Sequence, residues 1–405
     1  MTTQVVSTHE VTAEIFIESS PSQLYYFFST LSGWLDWFAQ KGIGNVSKQG
    51  ILQMHHNTVG RLAFYFREFE HEKRVALSIM SPKTPQMGDV ELLLEETEGG
   101  TTIRIEHSGM EPEDVDWLQN LWQDSLNNLK ELTEEGRDPR LWNRPFLGIT
   151  VADWVTPEYA AKHQLATESG MHLNSVFEGR GAAEAGISGG DTILSLAGIA
   201  ITDYEALLSV YKEHRSGDTI DVEYYHGKEL RQARLTLSAF PVPDVPPTAQ
   251  DIADNLDHFF QKANKKIEQL FSGKNEAQAE YRPAAGEWNA KEVLAHMIAS
   301  EGDAIHWLGS YLAAREVYPS ISTTPARLKS LLVLYPTLSA LLNKLRETQK
   351  ELVILISETP AEVVNRKASM VRLAFAYSLD ISMHYKEHLS QLADVLEHAS
   401  DVQGH

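Results

Sequence analysis

The chain has 405 residues, 42% hydrophobic and 22% charged, so it is globular and long enough for two to three domains. Its formal net charge of −21 excludes electrostatic binding of a phosphate backbone; about half of the acidic excess lies up to Arg140, where 11 basic residues stand against 22 acidic ones. Cysteine is absent, which removes disulfides, thiolate ligands and cysteine nucleophiles and suits a reducing compartment.

The first ten residues show neither a basic n-region nor an apolar h-region, and no apolar run approaches the ~20 residues of a membrane helix. The expectation is a soluble, cytoplasmic protein with no membrane insertion and no nucleic-acid partner. Residues 9–18 alternate as a half-buried strand does, and Ser19-Ser20-Pro21-Ser22 supplies a cap and an N1 proline for a short helix. Strand-like runs follow at 61–69, 75–80, 90–96 and 101–107, with Gly99-Gly100 as a hairpin turn between the last two. Residues 115–134 read as a long amphipathic helix with Leu118, Leu121, Trp122, Leu129 and Leu132 on one stripe. His55-His56 do not form a chelating pair, because neighbours on a strand point to opposite faces.

This order, with Ile17-Glu-Ser-Ser-Pro21, Trp34…Trp37, the hairpin ending at Gly109 and Trp122-x-x-Ser125-Leu-x-x-Leu129-Lys130, resembles the START-like (SRPBCC) superfamily over residues 8–137. Its nearest branch is similar to the activator of heat-shock ATPase family. The resemblance implies an α+β helix-grip domain, a fold that hosts many apolar small molecules, with Trp34, Trp37, Phe38 and Trp122 as candidates to line a cavity. The same aromatics equally suit an ordinary core.

Beyond the polar connection at 136–140, Arg144-Pro-Phe-Leu-Gly-Ile-Thr150, the run Glu178–Leu194, Gly198 and a helix starting near Tyr204 resemble a PDZ domain over residues 145–240. The resemblance implies a mostly-β fold. Phe146, Leu147, Gly148 and Ile149 would then hold the terminal carboxylate of a peptide or protein C-terminus that adds as an extra strand. It also implies help from Arg144 and a side-chain pocket at Leu207, Leu208 and Tyr211. Gly179-Arg-Gly181…Gly186 has the wrong spacing for a dinucleotide fingerprint. Ser188-Gly-Gly-Asp191 is no protease nucleophile motif, and no Ser/His/Asp constellation is visible.

Residues 241–248 carry four prolines between Pro241 and Pro247, an extended, semi-rigid linker. From 249 to 400 the pattern is helical almost throughout, with long amphipathic segments joined by short links, as in an all-α four-helix bundle. Asp380, His384 and His388 lie four residues apart and share one helical face, so two imidazoles can meet a divalent ion. The best third ligand is His296, on another predicted helix. Glu301 follows His296 by five residues, a poor helical match. His258, His306, His398 and His405 have no partner at ligand spacing.

Trp288…Val293-Leu294-Ala295-His296 followed by His384-x-x-x-His388 resembles the DinB-like (YfiT-type) family over about residues 250–400. That resemblance implies a three-histidine divalent-metal site, with Zn, Ni and Fe not distinguishable, and a thiol transferase or hydrolase activity. Asp380 is the candidate acceptor or base beside the metal, and equally an ordinary surface acid. The alternative reading of the whole chain is a ligand- and peptide-binding scaffold or a chaperone cofactor.

Overall fold

A computed structural model describes residues 9–39, 41–56, 59–80, 88–142, 144–284, 286–314 and 322–402. They fall into two compact units divided between residues 137 and 138 and again between 242 and 243, so the second unit interrupts the first in sequence.

The first unit opens with seven antiparallel strands: β1 (His9–Ile17), β2 (Lys41–Gly44), β3 (Ile51–His56), β4 (Gly60–Glu70), β5 (Arg74–Met80), β6 (Gly88–Thr97) and β7 (Gly100–Met110). They are ordered β1-β7-β6-β5-β4-β3-β2, as successive hairpins demand once β1 pairs with β7. Strands β2 and β3 are additions to the sequence reading; their exposed Ile43 and Ile51 blur the alternation that marks a strand. The β6–β7 turn also differs by one residue. Gly100 already pairs with Thr97, leaving Glu98 and Gly99 to turn the chain, with Gly99 at φ 84°.

Between β1 and β2 lie α1 (Pro21–Ser29) and α2 (Leu31–Trp37). Ser20 caps α1 by accepting from the Gln23 N–H, and Pro21 occupies the first turn, where a missing N–H costs nothing. The long helix α3 (Val115–Glu135) buries Leu118, Leu121, Trp122, Leu126, Leu129 and Leu132, the expected stripe plus one leucine. Gly136 ends it at φ 67°, the left-handed conformation that an ordinary C-terminal stop requires.

The rest of the first unit is helical. Four long helices span Ala249–Phe271, Ala290–Leu312, Leu338–Ser357 and a final run beginning at Lys367. That last run passes from Lys367–Ala374 through a π-helical turn, Phe375–Asp380, into Ile381–Val402. A shorter helix, Pro325–Leu334, precedes the third long one. One apolar face of each long helix feeds a shared core that includes Ile252, Leu294, Leu345 and Leu392.

The second unit is a β-rich domain. Strands β8 (Pro145–Phe146), β9 (Ile149–Trp154), β10 (Met171–Val176), β11 (Thr192–Leu196), β12 (Ile199–Ala200), β13 (Thr219–His226), β14 (Glu229–Thr236) and β15 (Ser238–Ala239) form its framework. The main sheet runs β14-β13-β11-β10-β9, β12 pairs with β11, and β8 pairs with β15. That last pair brings the two ends of the domain side by side.

Candidate metal centre and peptide loop

The helix carrying His296 is started firmly. Asn289 accepts from the Glu292 N–H at 2.9 Å and the Glu292 carboxylate accepts from the Asn289 N–H at 2.9 Å, a reciprocal capping box. Trp288, just before the cap, lays its ring 4.9 Å from the imidazole of His296. His384 and His388, one turn apart on the last helix, turn toward that ring. Ring centroids lie 5.1 Å (His296–His384), 4.6 Å (His296–His388) and 4.4 Å (His384–His388) apart. One nitrogen from each lies within 4.8 Å of the others. The Nε2 atoms of His296 and His384 are 3.0 Å apart. Two ligands of a tetrahedral ion at about 2.0–2.1 Å from the metal would sit roughly 3.3 Å apart.

The outer nitrogens of His296 and His388 are committed elsewhere. Nδ1 of His296 lies 3.3 Å from the Ser322 carbonyl, and Nδ1 of His388 lies 2.8 Å from Gln391 Oε1. Since each oxygen accepts, each of these two Nδ1 atoms donates, and Nε2 of His296 and of His388 keeps its lone pair, with the Ser300 hydroxyl 3.5 Å from Nε2 of His296. Ser322 is held in turn by its own N–H donating to Asp303 at 3.0 Å.

Burial drives the electrostatics. It lowers the pKa of all three imidazoles, with His388 lowering His296 further and both neighbours adding to the drop of His384, which falls to about 3. Neutral imidazole is the ligand form, so the cluster is set for a cation at neutral pH. Such a donor set, all nitrogen and without thiolate or carboxylate, suits Zn, Ni or Fe.

Asp380 ends the π-helical turn. Burial pushes its carboxyl up to about 6, and among the described residues it hydrogen-bonds none of the three histidines. Glu301 is buried and is not part of the cluster; the Tyr385 hydroxyl donates to it. Gln349 donates to Tyr385 at 2.6 Å and exchanges hydrogen bonds with Asn264, so the chain of contacts crosses all four long helices. Burial raises the Glu301 carboxyl to about 8, and among the described residues its second oxygen has no hydrogen-bond partner. His258, His306 and His398 are exposed, and His405 lies outside the described residues. Sequence reasoning missed Gln391, although its place one turn beyond His388 is a signal that could have found it. Ser322 offered no such signal, because nothing local marks a carbonyl that meets a distant ring.

Trp34, Trp37, Phe38 and Trp122 are all buried, and their rings pack on one another: Trp34–Trp37 at 5.5 Å and Phe38–Trp122 at 5.4 Å, stacked. Trp122 donates from Nε1 to Nδ1 of the buried His107 at 3.1 Å.

In the second unit, Phe146, Leu147, Gly148 and Ile149 form the link from β8 to β9. The Leu147 and Gly148 carbonyls accept from Ala182 (2.9 Å) and Phe177 (2.8 Å). Gly148 sits at φ 82°, and a Cβ there would meet Arg180 Cβ at 2.3 Å. Glycine is therefore required by the loop itself, not only by an approaching ligand. Strand β9 stands at the end of the main sheet. The Arg144 guanidinium lies over the rings of Phe240 (5.1 Å) and Tyr211 (5.9 Å). Leu207 is buried, while Leu208 and Tyr211 are partly exposed.

Three kinds of domain are present. Residues 19–134 match the family described as Activator of Hsp90 ATPase homolog 1-like protein, residues 145–237 the PDZ domain, and residues 260–391 the DinB superfamily. Among curated proteins, Serine protease Do-like HtrA of Lactococcus lactis subsp. lactis (strain IL1403) is 31% identical over 119 residues, as is its counterpart in subsp. cremoris (strain MG1363). Each match covers 28% of this chain and 28% of the relative. Among solved structures, the Aha1 dimer from Colwellia psychrerythraea is 19% identical, covering 31% of this chain and 95% of that one at a TM-score of 0.28. CalU16 from Micromonospora echinospora is 17% identical, covering 30% and 73% at a TM-score of 0.27. Among the described residues no helix is long and apolar enough to cross a membrane.

Proposed function

We propose that the chain is a metal-dependent enzyme of the DinB type, in the thiol transferase or hydrolase class, with peptide-binding and small-molecule-binding domains attached. One observation carries this reading: three imidazoles from two helices, His296 and His388 buried and His384 half-buried, converge, with Nδ1 of His296 and of His388 occupied by oxygen acceptors. His296, His384 and His388 would hold the ion through the nitrogens that face one another. A divalent ion held by three protein ligands supplies Lewis acidity toward a water or a thiol. The chain's own contribution is to keep the imidazoles neutral by burial and to fix His296 and His388 through Ser322 and Gln391. Asp380, already pushed up to about 6, suits exchange of a proton near neutral pH.

The test is elemental analysis of purified protein. The expected result is one divalent ion per chain, lost in His384→Ala and His388→Ala while the helical signal persists. Full metal content in both variants would end the enzyme reading.

The place of β9 at the end of the main sheet, beside the Phe146–Ile149 loop, favours a second role, capture of a peptide C-terminus by strand addition. A peptide ending in a free carboxylate should bind, and its C-terminal amide should not. Equal binding of the two would remove the carboxylate loop from the account.

A further inference from the structure

The helices that bear the histidines are tied together a second time, far from the imidazoles, by a carboxylate of the N-terminal sheet domain. Asp36 of α2 is buried, its side chain 1% exposed. Its Oδ1 accepts from Arg372 Nη1 at 2.6 Å, and its Oδ2 accepts from the hydroxyls of Tyr26 (3.3 Å) and Tyr311 (3.4 Å). Arg372 also donates to the Ser32 carbonyl at 3.4 Å, and its guanidinium lies over Tyr311 (5.3 Å) and Trp307 (5.8 Å). Arg366 covers the ring of Tyr26 at 3.9 Å.

Arg372 and Tyr311 stand on the two metal-site helices. Arg372 precedes His384 in the last helical run, about 18 Å along the axis at 1.5 Å per residue. Tyr311 follows His296 on its helix by about 22 Å on the same basis. Between Arg372 and His384 the run widens into the π-helical turn, where Tyr377 donates to the Ala304 carbonyl at 3.3 Å. A π turn offsets the register of everything beyond it, so where His384 and His388 meet His296 depends on where the run is pinned before that turn. Asp36 supplies that pin, as one carboxylate gripping both helices.

We propose that Asp36 is a positioning residue for the three-histidine centre, setting the register of the last helix against the His296 helix through Arg372 and Tyr311. This rests on the metal reading above. It makes the N-terminal domain a structural part of the metal site, not a neighbour of it. The physical basis is that the buried Asp36 carboxylate tolerates little sliding of its half-buried partner Arg372, because displacement leaves a buried ion without its partner.

Cobalt(II) titration of the full-length chain tests it, since the visible spectrum of bound cobalt reports ligand geometry directly. Wild type should bind with an intense visible band. Asp36→Asn should keep its helical signal at low temperature yet bind about tenfold more weakly with a shifted band, the low end of what loss of a supporting group costs. Asp36→Glu, which keeps the charge at a longer reach, should shift the band less. An Asp36→Asn protein with a lowered melting temperature but wild-type spectrum and affinity would show Asp36 to be purely structural and overturn the proposal. Should Asp36→Asn fail to fold, the Asp36→Glu spectrum decides alone, an unshifted band overturning it. A wild type without any cobalt band would overturn the metal reading itself, and this inference with it.

Discussion

At the residue scale, the three histidines and Glu301 carry opposite pH signatures. Burial holds the imidazoles of His296, His384 and His388 below their ordinary pKa, so the unfolded chain takes up protons as pH falls below about 6.5 while the folded one does not. The stability these groups contribute is present above that pH and is lost as pH falls through their folded values. Urea denaturation of metal-free protein should therefore show stability falling from pH 6.5 downward, and His384→Ala should shallow that slope. Glu301 behaves in reverse. Its folded pKa of about 8 lies above the ordinary carboxylate value, so the folded chain holds the extra proton. The stability linked to it is whole below about pH 4.5 and drains away as pH rises through 8. Glu301→Gln keeps the shape without the titration. It should be more stable than wild type at pH 8, by on the order of a few kcal/mol, and should lose that advantage at pH 5. Equal stability at both values would mean that Glu301 is ionised in the fold.

At the scale of elements, the histidine cluster depends on the supports that aim its helices. Gln391, one turn beyond His388, accepts from that imidazole at 2.8 Å. Gln391→Ala should weaken zinc binding about tenfold with the three ligands intact, as measured by competition with a chromophoric chelator. The capping box at Asn289 fixes the start of the His296 helix, and Asn289→Ala should cost about 1 kcal/mol in urea denaturation. Gly148 illustrates the opposite lesson. Its positive φ and the adjacent Arg180 stem mean that Gly148→Val distorts the loop before any peptide arrives. Free and amidated peptides therefore test the carboxylate loop more cleanly than that substitution does.

At the scale of the whole molecule, the division into two compact units cuts across the order of the sequence. The N-terminal sheet and the C-terminal bundle share one unit, while the PDZ domain between them forms the other. Asp36, Arg372 and Tyr311 are part of the reason, because separating them would leave the buried Asp36 carboxylate without partners. Calorimetry should resolve two transitions, of which only one moves on addition of metal. If peptide binding in the PDZ domain is self-contained, it should survive His388→Ala unchanged.

Periodicity and short motifs determined much of this protein before any coordinates. Alternation placed β1 and β4–β7, the leucine stripe placed α3, and His384-x-x-x-His388 put two imidazoles on one helical face, because each depends on neighbours along the chain. The residues around His296 were enough to bring that third imidazole into the same cluster. What only the tertiary structure decided depends on which side chains and carbonyls meet across the packed elements, up to 336 positions apart for Asp36 and Arg372. It assigned Ser322 and Gln391 as acceptors for the ligand rings, turned Glu301 toward Tyr385, inserted a π turn ahead of His384 and joined Asp36 to Arg372. A one-dimensional pattern records which face a side chain occupies, but the partner waiting on that face is set by packing.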